Sequence, residues 1–161
     1  MADKPKAKRI LGVDFGLRRF GVALSDEMKI IATPIVKFEA EKRSEQTVKK
    51  FVELIRKIEH DYRCEIEEIV LGLPLMMSGK TGFLADEVKH FAKLLGHLTP
   101  IPIKLWDERL TSVQADRALR EGEFTRKRRS QMVDTVAAVI ILQSYLSCLS
   151  IQNERDQQDS L

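Results

Sequence analysis

The chain of 161 residues has few of the residues that mark several common protein classes. Its two cysteines, Cys64 and Cys148, lie far apart, which excludes a disulfide-built domain and favours a reducing, cytoplasmic compartment. The three histidines show no metal-ligand spacing, and the glycine-rich phosphate-binding motifs of P-loop and dinucleotide-binding proteins are missing. Zinc chemistry and these large nucleotide-binding classes are therefore not expected.

The chain also lacks a large excess of charge of one sign and long apolar runs. The 27 Lys and Arg residues nearly balance the 24 Asp and Glu residues, and the net charge of +3 is too small to identify a nucleic-acid binder by itself. No apolar run approaches the roughly 20 residues of a membrane span. The apolar run after the basic start is too short for a signal peptide. We expect no membrane partner.

The length and the hydropathy pattern predict one α/β domain over residues 9–149, with flexible tails at 1–8 and 150–161. Apolar periodicity predicts strands at 10–15, 20–25, 29–38, 69–73 and 103–106, and helices at 44–62, 84–98, 111–120 and 126–149. Ser44 and Thr111 are candidate helix caps, and Pro34 predicts an edge strand or a bulge. The order predicts a five-stranded mixed sheet, an antiparallel meander plus two parallel strands, with helices on both faces.

An aspartate stands near the end of the first predicted strand. Alternation places Asp14 on one face with Ile10 and Gly12, and the opposite face carries Leu11, Val13 and Phe15. Because neither face is polar, we expect a central strand, in which an unpaired carboxylate is costly to bury. Asp14 is therefore a candidate site residue. A strand-end aspartate that caps the turn at Gly16 is the alternative.

Three charged residues, Asp107, Glu108 and Arg109, close the fifth predicted strand. This is the sheet edge at which α/β proteins usually bind ligands. Asp107 and Glu108 point to opposite sides, so only one of them is expected to enter a site. A solvated loop with a local ion pair is the alternative.

The last predicted helix is apolar around nearly its whole circumference at 133–142, except at Asp134. Such a helix is buried, and a carboxylate in it needs a basic residue or a metal as partner. The same helix starts with four consecutive cations, Arg126, Lys127, Arg128 and Arg129, which we name the basic cluster. A structural ion pair between Asp134 and a Lys or Arg is the alternative.

Two strand-end carboxylates and one helix carboxylate can converge on one pocket. Three acids at such short range stay ionised together only beside cations, and oxygen ligands suit Mg²⁺ or Mn²⁺. Two such ions would activate water and stabilise the leaving oxygen of a phosphodiester, while the basic cluster would hold backbone phosphates. The pattern predicts metal-dependent hydrolysis of a nucleic acid.

Four motifs then identify a family. They are Gly-Val-Asp-Phe-Gly at 12–16, Leu-Gly-Leu-Pro-Leu-Met-Met-Ser-Gly at 71–79, Asp-Glu-Arg-Leu-Thr at 107–111 and Asp-Thr-Val-Ala-Ala-Val-Ile-Ile-Leu-Gln at 134–143. In this order, over residues 9–147, the chain resembles the YqgF or RuvX family of bacterial Holliday-junction-resolvase-like and pre-16S rRNA nucleases.

The resemblance implies an RNase H-like fold and a nuclease that matures the 5′ end of 16S rRNA during ribosome biogenesis. It implies Asp14, Glu108 and Asp134 as the catalytic and metal-binding acids, with Asp14 bridging two Mg²⁺ or Mn²⁺ ions. Arg109 and Lys127 are candidate phosphate contacts, together with Arg126, Arg128 and Arg129. The 71–74 strand end and its glycine-bearing loop are expected beside this centre.

Other functions stay open. Gly-x-Asp-x-Gly before a hairpin also resembles actin-like ATPases and sugar kinases, but those need two such domains and the length allows one. A Holliday junction resolvase would apply the same chemistry to branched DNA and would call for a homodimer. A non-catalytic nucleic-acid-binding or ribosome-assembly factor would keep the fold, although the presence of all three acids argues against it.

Overall fold

The computed structural model describes residues 4–76, 78–110 and 126–160, with the side chains of 126–134 excepted. Its elements are, in chain order, β1 (Ala7–Asp14), β2 (Arg19–Ser25), β3 (Ala32–Glu39), α1 (Ser44–Asp61), β4 (Cys64–Leu73), α2 (Phe83–Leu98), β5 (Ile103–Asp107), a 3-10 turn (Glu108–Leu110) and α3 (Arg126–Asp159). The predicted order of elements is confirmed within these ranges. The helix predicted at 111–120, with Thr111 as its cap, lies outside them.

The sheet has the order β3-β2-β1-β4-β5, which makes β1 the central strand as predicted. The β1–β2 and β2–β3 pairs are antiparallel, and the β1–β4 and β4–β5 pairs are parallel. Pro34 lies in the edge strand β3, and the register with β2 shifts beside it, between Val22 and Ala23. Pro34 therefore lies in an edge strand and also beside a register irregularity, so both alternatives predicted for it are present.

Helices cover both faces of the sheet, as predicted. On one face, α1 and α2 pack on the side chains of Leu11 and Val13. On the other, α3 packs on Ile10 and Val70. The two predicted faces of β1 are thus confirmed, and Asp14 belongs by alternation to the face that α3 covers.

The direction of α3 follows from two contacts with β4. The Tyr145 hydroxyl donates a hydrogen bond to Glu68, and a side chain at Gly72 would meet Ile141. Residue 145 of α3 thus lies at residue 68 of β4, and residue 141 lies at residue 72, so the helix runs antiparallel to the strand. The N-terminal half of α3 consequently lies toward the edge of the sheet where β1, β4 and β5 end.

Several predicted bounds are wrong, for physical reasons. Parallel pairing of Ala7 with Cys64 starts β4 at that cysteine, five residues before the predicted start at 69, and draws residues 7 and 8 of the expected tail into β1. The Asp26 carboxylate accepts the N–H groups of Ile30 and Ile31 in a turn, so β3 begins only at Ala32.

The helix ends also differ from prediction. Helix α1 starts at Ser44, but the cap position is Arg43, without a side-chain cap. Helix α3 continues ten residues past 149, to Asp159, because no Gly or Pro interrupts it. By length and composition alone, its stretch Thr135–Asp159 could cross a membrane, but apolar residues of this stretch, among them Ala138 and Leu142, pack on the sheet.

Candidate active site

Three parallel strands bring their carboxyl ends to one edge of the sheet. The register pairs Val13 with Leu71 and Gly72 with Trp106, so Gly72 lies between the end of β1 and the end of β5. Asp14 is the last residue of β1, and Glu108 follows the last residue of β5. The parallel pairing therefore brings two predicted site residues from distant parts of the chain to one place.

The side chain of Glu108 folds back over Gly72. A Cβ at Gly72 would stand 2.4 Å from Glu108 Oε1, closer than real Cβ contacts allow. The Glu108 side chain also hydrogen-bonds that of Asp14. The two carboxyl groups thus meet above a strand position that has room for them only because it carries no side chain.

Burial raises the pKa of Glu108 above its usual range, and the negative charge of Asp107 adds to the shift. The hydrogen bond from Asp14 opposes it. Two carboxyl groups in hydrogen-bonding contact share a proton unless a cation holds both in the ionised form. A cation bound to both groups would therefore take the place of the shared proton.

Asp107 and Glu108 take different partners. The Arg109 guanidinium donates to both Asp107 carboxylate oxygens, with Nη2 at 2.6 Å from Oδ2, and the Arg109 N–H donates to Oδ1 at 3.0 Å. This guanidinium lowers the pKa of Asp107, and Asp107 in turn raises that of Arg109. The local ion pair considered for this loop is present, and it leaves Glu108 to meet Asp14.

The loop after β4 lies next to Arg109. It is pinned by a bridge between Leu75 and Thr81, and Gly79 adopts a positive φ of 83°. A Cβ at Gly79 would lie 3.4 Å from Arg109 Nη1. The glycine-bearing loop is therefore beside the carboxylate pair, as expected.

The third predicted acid and the basic cluster lie at the start of α3. Asp134 and residues 126–129 are helical, but their side chains fall outside the described part of the chain. Among the described residues, no group of three His, Cys, Asp or Glu side chains could hold a metal. Within them, the site consists of the Asp14–Glu108 pair and the Asp107–Arg109 pair.

Sequence reasoning missed two glycines that shape this site. Gly72 leaves room for the Glu108 carboxyl group. Gly12 allows the close approach of α3, since a Cβ there would stand 2.6 Å from Leu142 Cβ and 3.3 Å from the Ala138 carbonyl oxygen. The signal was available, because glycine inside an apolar strand often marks a close approach of another backbone or a ligand.

Gln143 was also missed as a structural residue, although it closes the fourth motif. Its Nε2 donates to the Ile30 carbonyl oxygen at 2.7 Å, and its Oε1 accepts the Ala32 N–H at 3.0 Å. This side chain ties α3 to the turn before β3. The motif at 134–143 thus contains both a candidate site residue, Asp134, and Gln143, which fixes the helix to this turn.

Comparison with known proteins gives matches over most of the chain. The model of the RuvX family, described as Holliday junction resolvase, matches residues 8–148. A protein of Protochlamydia amoebophila (strain UWE25), named "Putative pre-16S rRNA nuclease", is 66% identical over 146 residues, which cover 91% of this chain and 97% of that protein. A protein of the same name from Clostridium acetobutylicum is 42% identical over 141 residues, with coverage of 88% and 99%.

Solved structures resemble this chain in fold. T. thermophilus RuvC in complex with Holliday junction substrate has a TM-score of 0.52 at 12% identity, over 89% of this chain and 96% of that one. Fowlpox virus resolvase with Holliday junction DNA has a TM-score of 0.52 at 14% identity, over 88% and 98%. The fold is therefore RNase H-like, as the resemblance implied, and on its sequence match the chain belongs to the RuvX family.

Proposed function

We propose that this chain is a divalent-metal-dependent nuclease that hydrolyses phosphodiester bonds of pre-16S rRNA during maturation of its 5′ end. The observation that carries the proposal is the meeting of the Asp14 and Glu108 carboxyl groups over Gly72. Two carboxyl groups in such contact ionise together only beside a cation. Its place at the carboxyl edge of the sheet, where ligands bind in open α/β sheets, supports a functional role.

The donor set fits Mg²⁺ or Mn²⁺. Asp14 and Glu108 offer oxygen ligands only, which these hard cations prefer, and both side chains are half-buried. Bound there, a pair of ions would supply activation of water and stabilisation of the leaving oxygen. The chain's own contribution is to hold the two carboxyl groups in one place, through the close contact of Glu108 with Gly72.

Asp134 is proposed as the third ligand. Helix α3 runs antiparallel to β4, and Ala138 and Leu142 flank the Gly12 position of β1. Position 134 is one turn before Ala138, toward the edge at which Asp14 lies. The path of the helix backbone supports this role, and the alternative of an ion pair with a Lys or Arg is decided by the experiment below.

Cations near this edge are proposed to hold substrate phosphates. Arg109 lies next to Glu108 and is oriented by the hydrogen bonds that its guanidinium donates to Asp107. The basic cluster, with Arg126, Lys127, Arg128 and Arg129, begins the same helix that carries Asp134. Cations at these positions would bind backbone phosphates without reading sequence.

Ribosomal RNA is the favoured substrate because relatives at 66% and 42% identity are named "Putative pre-16S rRNA nuclease". Such a substrate would place the reaction in the cytoplasm, where the free thiols Cys64 and Cys148 would stay reduced. Branched DNA is the second candidate, because the family model is described as Holliday junction resolvase. Junction cleavage would require a homodimer with two sites.

The test compares the cleavage of pre-16S rRNA and of a four-way DNA junction by the same preparation. We expect Mg²⁺- or Mn²⁺-dependent cleavage of the RNA, and loss of more than about 100-fold in Asp14→Asn, Glu108→Gln and Asp134→Asn, because even outer partners of metal ligands are worth 10- to 100-fold. The matched control is Asp26→Asn, in a turn at the opposite edge of the sheet.

Each result separates the candidates. Full activity in all three variants, or in excess chelator, would refute the two-metal mechanism. Cleavage of the junction alone would favour the resolvase, and binding without cleavage of either substrate would favour the assembly factor. Loss of activity in Asp14→Asn and Glu108→Gln but not in Asp134→Asn would assign Asp134 to a structural ion pair.

A further inference from the structure

A groove lies on the opposite side of β1 from the carboxyl pair, between the β1–β2 turn, the β3–α1 loop and α2. Its deeper part is a cavity of about 210 Å³ whose walls include Phe15, Leu17, Ser44, Glu87 and Phe91. A shallower cavity of about 580 Å³ adjoins it and shares its Leu17 and Lys42 walls. The two cavities form one continuous groove at the catalytic edge of the sheet.

The deeper cavity has an aromatic wall and an apolar wall. Phe15 is half-buried, and its ring packs 4.6 Å from that of Phe20 and 5.4 Å from that of Phe91, which holds it in place. Leu17 is 56% exposed, although it is a large apolar residue in a tight turn. Single-strand-binding proteins stack bases on aromatic side chains, and enzymes that extrude a base hold it between aromatic and apolar side chains.

Cations lie along the shallower part. Arg18, Arg19 and Lys42 line it, and the Ala40 N–H donates to the Arg18 carbonyl oxygen at 2.8 Å, which joins the turn to the β3–α1 loop. Two acids, Glu39 and Glu41, lie there as well. Glu41 pairs with Lys50 of α1, which leaves Glu39 against the three cations of the lining. The groove therefore offers positive charge to a phosphate backbone outside the cavity.

Glu87 gives the cavity a hydrogen-bond acceptor. A carboxylate accepts from the exocyclic amino group of a base such as cytosine. Uracil has no amino group, and its single ring N–H lies between two carbonyl oxygens that the carboxylate would repel. The cavity chemistry therefore favours a base that carries an amino group.

From this geometry we propose that the groove is a subsite for one unstacked, amino-bearing base of the RNA strand that the enzyme cleaves. Phe15 follows Asp14 directly in the chain, so the base would belong to a nucleotide close to the scissile phosphate. The proposal rests on the proposed nuclease function for the identity of the strand. The walls, the volume and the charges of the groove are independent of that function.

The test uses single-stranded RNA from the 5′ region of the precursor, with 2-aminopurine placed at successive positions around the cleavage site. Binding is measured in excess chelator, so that no cleavage is needed for the signal. We expect the fluorescence to change on binding at one position, and this change to be lost in Leu17→Ala. Leu98→Ala is the matched control, since that leucine is 46% exposed at the far end of α2.

Cleavage supplies a second measurement. An abasic nucleotide at the same position should lower kcat/KM by about fivefold or more, since base stacking on an aromatic side chain is worth that much. The preference for cytosine over uracil there should disappear in Glu87→Gln.

The proposal would be overturned if no position gave a fluorescence change, or if Leu17→Ala and Leu98→Ala behaved alike. A position-specific signal without cleavage would contradict the nuclease function and leave the subsite standing. Cleavage without a position-specific signal would contradict the subsite and support the nuclease function.

Discussion

Replacing Gly72 by alanine tests how the carboxyl pair is held. The new Cβ would stand 2.4 Å from Glu108 Oε1 and 2.6 Å from Ile141 Cδ1. Both atoms are at the far ends of side chains, so the strand itself can stay in place. The carboxyl oxygen must then retreat by about 1 Å to reach the 3.4 Å of an ordinary contact.

The expected effect on activity exceeds the effect on stability. A displacement of about 1 Å in a catalytic group can cost about 100-fold in rate. Overpacking costs about 1–3 kcal/mol, and the replacement of glycine in a strand returns about 0.5–1 kcal/mol. We therefore expect kcat/KM to fall by about 100-fold, while the loss in unfolding free energy stays below about 2.5 kcal/mol.

The assay measures RNA cleavage and urea unfolding on the same preparations. Gly96→Ala is the matched control, because a Cβ at that helical position meets no atom within 4 Å. It should leave the activity unchanged and raise the stability by about 1 kcal/mol, the difference in helix propensity.

A second substitution separates displacement from unfolding. Glu108→Asp shortens the side chain by one methylene and makes room for the new methyl group, so Gly72→Ala with Glu108→Asp should be more active than Gly72→Ala alone. Wild-type activity in a folded Gly72→Ala variant would refute the role of this glycine. An activity loss that only follows the unfolded fraction would refute it as well.

Three further predictions concern the helix, a turn and the basic cluster. Gly12→Ala should lower the unfolding free energy by about 1–3 kcal/mol and reduce activity, because the new Cβ would push on Leu142 Cβ; an unchanged urea midpoint would contradict this. Hydrogen bonds from the Ile31 N–H and its neighbour hold the pKa of Asp26 below its ordinary 3.8, so their stabilisation is present above that pH and is lost as the pH falls through the lowered value. In urea unfolding between about pH 5 and pH 2, Asp26→Asn should lose this part of the pH dependence, and a profile like that of the wild type would contradict it. Neutralising residues 126–129 should weaken RNA binding on every sequence and flatten its salt dependence, whereas an effect confined to one sequence would indicate base recognition.

The order of elements could be predicted because periodicity is a local property. Leu11 and Val13 alternate with Ile10 and Gly12 whatever else the chain does, and this alternation correctly predicts two apolar faces and a central strand. Bounds were less predictable where a partner sets them. Pairing with Ala7 starts β4 at Cys64, and that pairing is not visible in the residues around the cysteine.

The candidate site could be predicted only in part. Local spacing singles out Asp14 and the Asp107–Glu108 pair but leaves open which of the two neighbouring acids enters a site, and only the family resemblance favours Glu108. In the structure the two acids have different partners: Asp107 accepts hydrogen bonds from Arg109, and Glu108 hydrogen-bonds Asp14. The role of Asp134 stays a prediction.

The sequence by itself determined which residue types are available, in what order, and on which face of each element they lie, because φ/ψ preferences and apolar periodicity act over a few residues. The family motifs assign Asp14 and Glu108 to one site, but only the tertiary structure shows how they meet, with 93 positions between them in the chain numbering. That meeting needs β4 between β1 and β5, and a position without a side chain at Gly72. Close approach of three distant segments depends on how strands pair and how α3 packs, which no local pattern encodes.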